Sequence, residues 1–317
     1  MKSFTAGKNE EGVRLSRFVQ SVTTNLPTSI LYKSFRNKRI KINGKHADAE
    51  ARICVGDLIE LYINDEFFAQ DTKKAPLKKQ IHQPILQVIF EDENIAALYK
   101  PAHLLCHSDR TGDANMVDAF CAYLTQSGAY HAETENAFAP ALCNRLDRGT
   151  EGLVLAAKNY AALRDMNEII RQNLLCKHYL CITVGAPPCG THKAYLQHRE
   201  KDNKVTVRIS DAPGYKEIQT GVEILAQKGP FCLCKIDLIT GRTHQIRAHL
   251  AFLGTPVLGD IKYGNRKMNA RCHVETQALC AAEISFRAIP SENTLSYLSG
   301  QTIALSKPQI LQQFSAL

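Results

Sequence analysis

The sequence lacks tryptophan, long apolar runs and the glycine-rich signatures of nucleotide-binding folds. The missing tryptophan excludes no class of protein. Apolar runs such as LVLAA, at residues 153–157, are far too short to cross a bilayer, and the N-terminal MKSFTAGKNE has no apolar segment of a secretory signal. With neither G-x-G-x-x-G nor a P-loop, nucleotide-cofactor folds lose their main support. We therefore expect a cytoplasmic protein with no membrane partner.

Disulfides and metal centres are also poorly supported. The eleven cysteines are odd in number and scattered, which favours reduced thiols in a cytosolic protein. The tightest pair, Cys232 and Cys234, lies in the alternating run FCLCKIDL, which predicts that both side chains face one side of a strand. Because the sequence has no paired C-x-x-C and no H-E-x-x-H, core cysteines are favoured over zinc, and we predict no metal.

The length of the chain and its positive charge indicate the number of domains and the kind of partner. The 317 residues suffice for about two domains, and a hydrophobic content of 44% is ordinary for a globular protein. The formal net charge of +8 indicates a polyanionic partner, although many basic proteins bind no nucleic acid.

Residues 12–63 are predicted to form a small α/β module. Apolar residues at 15, 18, 19 and 22 have the spacing of an amphipathic helix, and Pro-Thr-Ser at 27–29 begins a second one. A strand at 40–42, an Asn-Gly turn and a strand at 58–63 follow. The second helix and the turn after it carry a basic cluster, formed by Lys33, Arg36, Lys38 and Arg39.

The simplest interpretation of this basic cluster is a solvated helix face. An RNA-binding surface is the alternative, because the acidic residues of the module lie elsewhere. The order of helix, basic helix, strand, Asn-Gly-Lys turn and closing strand resembles the RNA-binding domain of ribosomal small-subunit protein four. This resemblance implies that the module binds structured RNA.

The rest of the chain divides into three parts. Residues 64–83 are rich in lysine and predict a basic linker. Residues 84–290 alternate strands with a few helices, and their closely spaced turns favour an α+β fold with a mixed, mainly antiparallel sheet. Helices are predicted at 161–173 and around 243–253, and strands at 179–184, 205–209, 221–225 and 231–239. Residues 291–317 are predicted to be a C-terminal tail.

The segment NRLDRGTEG, at residues 144–152, contains the strongest candidate for chemistry. Asp147 lies between Arg145 and Arg148, just before an apolar strand, and these cations favour an ionised carboxylate. An ionised, positioned carboxylate can act as a nucleophile or a base. A structural Asp–Arg ion pair is the alternative and is common.

A second basic segment, TGRTHQIRAH at residues 240–249, follows a predicted strand. If the segment begins a helix, its free amides together with Arg242 and Arg247 make an anion or phosphate site. His244 taken alone is more often a hydrogen-bonding residue at a helix start than a catalyst.

Together these two segments resemble the RluA-type pseudouridine synthases, whose patterns read HRLDxxTSG and GRTHQIRxH. Further matches follow in the family's order: EDENIAALYKP, CKHYLCITVG, GDIKYG and QALCAAEISF. The resemblance implies that Asp147 is the catalytic aspartate, Tyr179 the active-site tyrosine and Arg247 the basic partner of the aspartate. It also implies that Arg145 helps to hold RNA opened around a flipped base.

The sequence departs from the family patterns at three positions. Asn144 and Glu151 stand where His and Ser are usual in the first segment, and Cys280 replaces the His of the closing strand. Glu151 adds a negative charge near Asp147 if its side chain points inward. The three residues expected to do chemistry are intact.

The resemblance implies that the protein isomerises uridine to pseudouridine in structured RNA, without a cofactor. Large-subunit ribosomal RNA is the expected substrate, with transfer RNA as the alternative, and the expected state is a monomer. The expected RNA-binding residues are Arg145, Arg148, Arg242 and His244, with the basic cluster of the N-terminal module. The competing hypotheses are a noncatalytic RNA-binding ribosome-assembly factor and a hydrolase that uses Asp147 with His244.

Overall fold

The computed structural model describes residues 1–68, 85–109, 111–133, 135–136, 138–199 and 204–317. These residues form two units, each built around its own β-sheet. The predicted linker at 64–83 lies outside the described residues from position 69 onwards.

The N-terminal unit is a four-stranded antiparallel sheet covered by two helices. Its elements are β1 (Lys2–Thr5), α1 (Leu15–Val22), α2 (Thr28–Arg36), β2 (Ile40–Ile42), β3 (Lys45–His46) and β4 (Leu58–Leu61). Leu15, Phe18 and Val19 of α1 are fully buried, as the helical spacing predicts. The unit also includes β1, which pairs with β4 and begins before the predicted boundary at residue 12.

The larger unit contains an eleven-stranded sheet in the order β11-β10-β12-β13-β9-β14-β8-β6-β5, with β15 paired to β14 and β7 to β8. Its strands are β5 (Gln87–Glu91), β6 (Ile95–Lys100), β7 (Ala141–Leu142), β8 (Glu151–Ala157), β9 (Leu175–Val184), β10 (Gly190–Arg199), β11 (Lys204–Arg208), β12 (Lys216–Lys228), β13 (Phe231–Leu238), β14 (Leu279–Phe286) and β15 (Thr302–Ala304). Its helices are α3 (Met116–Gln126), α4 (Tyr160–Arg171), α5 (Gln245–Phe252), α6 (Arg266–Arg271) and α7 (Gln309–Ala316). Only β8 and β14 pair in parallel among these strands, so the predicted mixed, mainly antiparallel α+β sheet is confirmed.

Strand β8 explains how the helices are arranged around this sheet. Its residues alternate between two cores: Val154 and Ala156 pack with α3 and α5, whereas Leu153 and Leu155 pack with α4. Successive side chains of a strand point to opposite faces, and both faces of β8 are covered. This is why the sequence of β8 is a continuous apolar run rather than an alternating one.

Residues 291–317, expected to be a tail, belong structurally to the larger unit. Strand β15 pairs with β14, and Leu295 and Leu298 are completely buried in the α4 core. Ile310 on α7 is 2% exposed. The apolar residues of this segment occur in short, separate groups, and their burial depends on the surface of the sheet rather than on a strong local pattern.

The two units are in contact. The Asn9 side-chain amide donates to Glu135 Oε1 at 2.7 Å, and its Oδ1 accepts from the Tyr160 backbone amide at 3.1 Å. Tyr160 also packs against the N-terminal core. The start of α4 is therefore one docking point of the N-terminal unit.

The fold can be compared with the expectations about disulfides, metal sites and membrane-spanning segments. All eleven cysteines are free, and Cys232 and Cys234 are both buried in the same core, as predicted from their alternation. Among the described residues, no cluster of three or more His, Cys, Asp or Glu side chains is arranged to hold a metal ion. None of the helices described is long and apolar enough to cross a membrane.

Candidate active site

The loop that carries Asp147 connects β7 to β8 and is fixed at its end by Gly152. A turn closes where the Thr150 amide donates to the Asp147 carbonyl at 3.0 Å. Gly152 has φ +120°, and a Cβ there would lie 2.3 Å from the carbonyl oxygen of Ala281 on β14. Only glycine allows this close approach of the two strands, which sets the distance of the Asp147 loop from the sheet.

The second basic segment wraps the N-terminus of α5. Gln245 is buried, and its Oε1 accepts from the Arg242 amide at 3.1 Å and from Thr240 Oγ1 at 2.9 Å. Its Nε2 donates to the Gln219 carbonyl at 3.0 Å. The residue before it, His244, has φ +54°, a left-handed conformation that costs energy for a non-glycine residue. The Gln245 hydrogen bonds hold this turn in place.

Arg247 joins the two segments through a chain of charges. Its Nη1 donates to Asp147 Oδ2 at 2.8 Å, while its Nε and Nη2 donate to the two oxygens of Asp260 at 2.6 and 3.0 Å. The Arg247 side chain is 6% exposed and Asp260 is 1% exposed, whereas Asp147 is 26% exposed. Asp260 therefore fixes the guanidinium, and the guanidinium aims the more accessible carboxylate.

Asp260 is itself held as a carboxylate. Burial acts to raise its pKa, but the Arg247 guanidinium and the amides of Lys262 and Tyr263 outweigh burial and keep the pKa below its ordinary value. The two amides donate to Oδ1 at 2.8 and 3.0 Å. A buried ion pair needs such extra hydrogen bonds to offset its desolvation.

His244 lies beside Asp147 as a neutral side chain. Burial lowers the pKa of His244 to about 4. Its Nδ1 lies 2.9 Å from the Tyr263 hydroxyl, and its Nε2 lies 4.0 Å from Asp147 Oδ2, beyond hydrogen-bonding distance. Tyr263 also stacks beneath Arg247, whose guanidinium carbon is 5.4 Å from the ring centroid.

Tyr179 and Lys100 complete the surroundings of the carboxylate. Tyr179 is 6% exposed on β9, and burial together with the nearby Asp147 raises the pKa of its hydroxyl, so the ring stays neutral. Burial lowers the pKa of Lys100 to about 8. Lys100 Nζ donates to the Pro101 and Arg148 carbonyls at 2.9 and 3.2 Å, which ties the Asp147 loop to the end of β6.

Two cavities meet at Asp147. The smaller has a volume of about 260 Å³, and its lining includes Tyr179. The larger has a volume of about 620 Å³, and its lining includes His103 and Gln277. The residues shared by both cavities are Arg145, Leu146, Asp147, Thr243, His244 and Arg247. A group bound in either cavity is thus within reach of the Asp147 carboxylate.

The predicted site residues are distributed unequally between these cavities and the N-terminal unit. Arg145 is exposed and lines both cavities, and Arg242 is exposed and lines the smaller one. Arg148 lines the larger cavity and pairs with Asp113 at 2.9 Å. The four residues of the basic cluster are exposed in the N-terminal unit and line neither cavity.

The departures from the family patterns have structural partners. Asn144 Oδ1 accepts from the Leu155 amide at 2.7 Å, and Glu151 accepts from the Tyr99 hydroxyl at 2.8 Å. Cys280 lies opposite Glu151 on β14, and burial together with this carboxylate raises the pKa of the thiol. Asn144 thus ties the loop to β8, and Glu151 is held between Tyr99 of β6 and Cys280 of β14.

Several residues of the site were assigned no role from the sequence. Asp260 and Tyr263 lie in GDIKYG, a segment recognised as similar to a family turn without an assigned function. Lys177 lines the smaller cavity and lies two residues before Tyr179. The available signal was the acidic residue of GDIKYG, since a buried arginine near a turn needs a carboxylate partner.

Similarity to known proteins identifies the chemistry of this arrangement. A sequence model of the RNA pseudouridylate synthase family matches residues 94–252, half of the chain, and this stretch includes Asp147, Tyr179 and Arg247. An uncharacterised RNA pseudouridine synthase of Mycoplasma pneumoniae is 31% identical over 99% of this chain and 97% of the relative. The chain belongs to this family. It is an RNA pseudouridine synthase, and the resemblance drawn from its motifs is confirmed.

Other relatives of the synthase agree with this assignment. Ribosomal large subunit pseudouridine synthase C of Rickettsia bellii is 32% identical over 80% of this chain and 84% of the relative. The structure of human RNA pseudouridylate synthase domain containing 4 superposes with a TM-score of 0.55 and 21% identity, covering 71% of this chain and 90% of that chain. The structural likeness supports the fold of the synthase.

Proposed function

We propose that the synthase isomerises uridines of large-subunit ribosomal RNA, with Asp147 as nucleophile and no cofactor. The observation that carries the proposal is the Asp147 carboxylate, aimed by Arg247 at the junction of two cavities, one of which contains Tyr179. The relative from Rickettsia bellii, named a ribosomal large subunit enzyme, supports the substrate class.

Substrate entry requires a uridine to leave its stack. Extruding a nucleotide costs about a few kcal/mol, which basic contacts to the phosphates and an aromatic contact to the base can offset. Arg145 and Arg242 are exposed at the cavities and suit the phosphates. The small volume of the Tyr179 cavity, about 260 Å³, suits one base rather than a stretch of RNA.

The reaction then exchanges one bond of the ribose for another. The N1–C1′ bond breaks, the detached uracil turns, a C5–C1′ bond forms, and the C5 proton is lost while N1 gains a proton. Asp147 either attacks C1′ or assists formation of a glycal-like species, and both routes need an ionised carboxylate in a sheltered pocket. Arg247 aims the carboxylate through its hydrogen bond.

Tyr179 is suited to stacking and to proton handling. Because burial and Asp147 raise the pKa of its hydroxyl, Tyr179 is not a resident phenolate base. We propose that its ring packs on the uracil and that its hydroxyl helps to carry the C5 proton away in concert with bond formation.

The competing hypotheses have less support. The hydrolase hypothesis pairs Asp147 with His244, but their side chains are 4.0 Å apart and His244 has its pKa lowered to about 4. The noncatalytic hypothesis rested on Asn144 and Glu151, and both now have structural partners in an otherwise complete site.

We also propose that the N-terminal unit captures structured RNA through its exposed basic cluster. Exposed arginines and lysines on one short segment bind phosphates without reading sequence. Ribosomal RNA as the substrate would place the synthase in the cytoplasm, where we propose that it acts as a monomer.

Pseudouridine mapping of total RNA tests the proposal. Cells without the gene are complemented with wild type, Asp147→Asn or the control Asp211→Asn, which alters an exposed turn residue. We expect sites in large-subunit ribosomal RNA to vanish in the deletion and to return with wild type and Asp211→Asn only. Purified Asp147→Asn should still bind the RNA with nearly wild-type Kd.

Each alternative outcome has a distinct meaning. If pseudouridine sites vanished only from transfer RNA, transfer RNA would replace ribosomal RNA as the substrate. Restoration of the sites by Asp147→Asn would refute the role of the carboxylate. An equal loss of RNA binding in this variant would refute it as a specifically catalytic residue.

A further inference from the structure

The smaller cavity contains a lysine that the reaction described above does not use. Lys177 lies on β9 two residues before Tyr179, so both side chains project from the same face of the strand. Lys177 is partly buried and lines the smaller cavity, but it does not line the larger one. It therefore belongs to the part of the site that the smaller cavity alone provides.

No hydrogen bond or ion pair joins the Lys177 ammonium to any residue that the structure describes. Burial is the sole cause that lowers the pKa of Lys177, so no nearby carboxylate compensates its charge. Its Nζ lies 3.3 Å from the position that a Cβ on Gly241 would take, which places it against the backbone of the cavity wall. A sheltered lysine without a partner costs stability, and a ligand acceptor would offset this cost.

The surroundings of Lys177 indicate which kind of ligand group would accept its hydrogen bond. The wall beside it is apolar and is formed by Ile170, Leu175, Leu238 and Leu279. Such a wall suits a flat, neutral base rather than a phosphate, which would be desolvated there at high cost. The exposed cations Arg145 and Arg242 already serve the rim, where the backbone of the RNA must remain.

The direction of a bound uridine follows from the position of Asp147. The ribose C1′ must lie at the carboxylate, at the junction of the two cavities, and the base extends from C1′ past Tyr179 into the smaller cavity. The atom of uracil farthest from C1′ is O4, a carbonyl oxygen that accepts hydrogen bonds. Because Lys177 lines the smaller cavity but not the junction at Asp147, it is placed to meet this end of the base.

We propose that Lys177 is a specificity-determining residue that donates a hydrogen bond to O4 of the flipped uracil. Cytosine carries an amino group at this position, and a lysine has three donors and no acceptor with which to bind it. The lysine thus favours uridine and opposes cytidine through one contact. This inference rests on the proposed function, because it requires a uridine at Asp147.

The test uses the full-length synthase and an RNA fragment that contains a uridine identified by the mapping experiment. The single-turnover rate is measured for wild type and Lys177→Met on this fragment and on the same fragment with 4-thiouridine at the target. Methionine keeps the length and the packing of the side chain but removes the donor. The control is Lys228→Met, which alters an exposed lysine next to the turn of the β12–β13 hairpin.

Wild type and control should lose about tenfold in rate with 4-thiouridine, because sulfur is a weaker acceptor than oxygen. Lys177→Met should lose about ten- to hundredfold on uridine and should show no further loss with 4-thiouridine. The variant should unfold at the same or a higher temperature than wild type, because it removes a buried charge.

Three results would overturn the inference while the proposed function stands. These are a wild-type rate equal on the two fragments, an unaltered rate in Lys177→Met, and a sulfur effect that persists in this variant. A salt dependence of RNA binding reduced by about one phosphate contact in Lys177→Met would reassign the lysine to the backbone. Failure of wild type to modify the uridine fragment would overturn the proposed function itself, and the inference with it.

Discussion

The position of Asp147 depends on a residue that lines neither cavity at the site. Asp260 is 1% exposed and binds Arg247 through both carboxylate oxygens, so it decides where the guanidinium points. We predict that Asp260→Asn lowers kcat about a hundredfold, because a small misplacement of a catalytic group has effects of this size. RNA affinity should be nearly unchanged, since Asp260 does not face the cavities.

The same substitution should lower the free energy of unfolding by about 3 kcal/mol, because it removes one partner of a buried ion pair. Single-turnover kinetics, RNA titration and urea unfolding measure the three effects, with Asp211→Asn as the control. A loss of RNA affinity as large as the loss of rate would contradict a positioning role for Asp260.

Protonation of the buried His249 should lower the stability of the protein in acid. Burial lowers the pKa of His249 from its ordinary value of 6.5 to about 4, and its Nδ1 lies 3.0 Å from Thr220 Oγ1 on β12. The unfolded chain therefore binds a proton at higher pH than the native state does. Stability conferred by the neutral imidazole is complete above pH 6.5 and is lost as the pH falls from there towards 4.

We predict that protonation of His249 lowers the free energy of unfolding by up to about 3 kcal/mol. Urea unfolding of wild type and His249→Gln, at a series of pH values from 7 down to 4, measures it. The free energy of unfolding should fall less steeply with acidification in the variant. Parallel curves would show that His249 does not contribute to the acid sensitivity.

Site residues that lie in a recognised motif were predicted from the sequence, whereas contacts between residues of different segments were not. Asp147, Tyr179 and Arg247 were identified from their segments, and the structure places all three around one cavity. The partnership of Arg247 with Asp260 spans thirteen positions and a turn, and no local pattern encodes such a contact. Lys177 lies in CKHYLCITVG, a segment recognised as similar to a family strand, but the similarity assigned no role to the lysine.

Among the elements, the junction of β8 with β14 controls the Asp147 loop through a single glycine. Gly152→Ala would place a Cβ 2.3 Å from the Ala281 carbonyl oxygen and would also require φ near +120°. Gly190→Ala is a matched control, since Gly190 has φ +107° and no atom within 4 Å of the added Cβ. Both variants strain the backbone, but only the first creates a clash.

We predict that Gly190→Ala costs about 1–2 kcal/mol in the free energy of unfolding, from backbone strain alone. Gly152→Ala should cost more and should also reduce the rate of pseudouridine formation, because the strands must separate below the Asp147 loop. Chemical unfolding and single-turnover rates distinguish these effects. Equal stabilities of the two variants would show that β14 adjusts without cost.

Element prediction succeeded where one face of an element is buried. The predicted strand at 231–239 and helices at 161–173 and 243–253 agree closely with β13, α4 and α5. Strand β12 extends over Lys216–Lys228, beyond the predicted 221–225 at both ends. Its first residues pair with β10, and its last residues are exposed on a long hairpin and carry no alternating pattern. Pairing with β13 defines these residues as strand, and this pairing is not visible in the local sequence.

At the scale of the whole molecule, we propose that the two units divide binding from chemistry. The N-terminal unit contacts the larger unit at Asn9 and Tyr160. Deleting the N-terminal unit would therefore expose part of α4, and a loss of RNA binding could not be separated from a loss of packing. Removing charge without removing structure is the cleaner test. The basic cluster of Lys33, Arg36, Lys38 and Arg39 is exposed. Glutamine preserves helix propensity at positions 33 and 36 of α2, and positions 38 and 39 lie beyond the end of this helix.

We predict that this fourfold variant binds its RNA more weakly at low salt and loses a large part of the salt dependence. Each phosphate contact adds about 0.7–0.9 to the slope of log Kd against log salt, so four contacts would remove about three units. The control replaces the exposed Lys193, Lys216, Lys228 and Lys307 of the larger unit and removes the same formal charge. If both variants lose the same slope, the net charge of the synthase, rather than a surface of the N-terminal unit, attracts the RNA. If only the basic-cluster variant loses it while the rate at saturating RNA is unchanged, capture and catalysis belong to separate units.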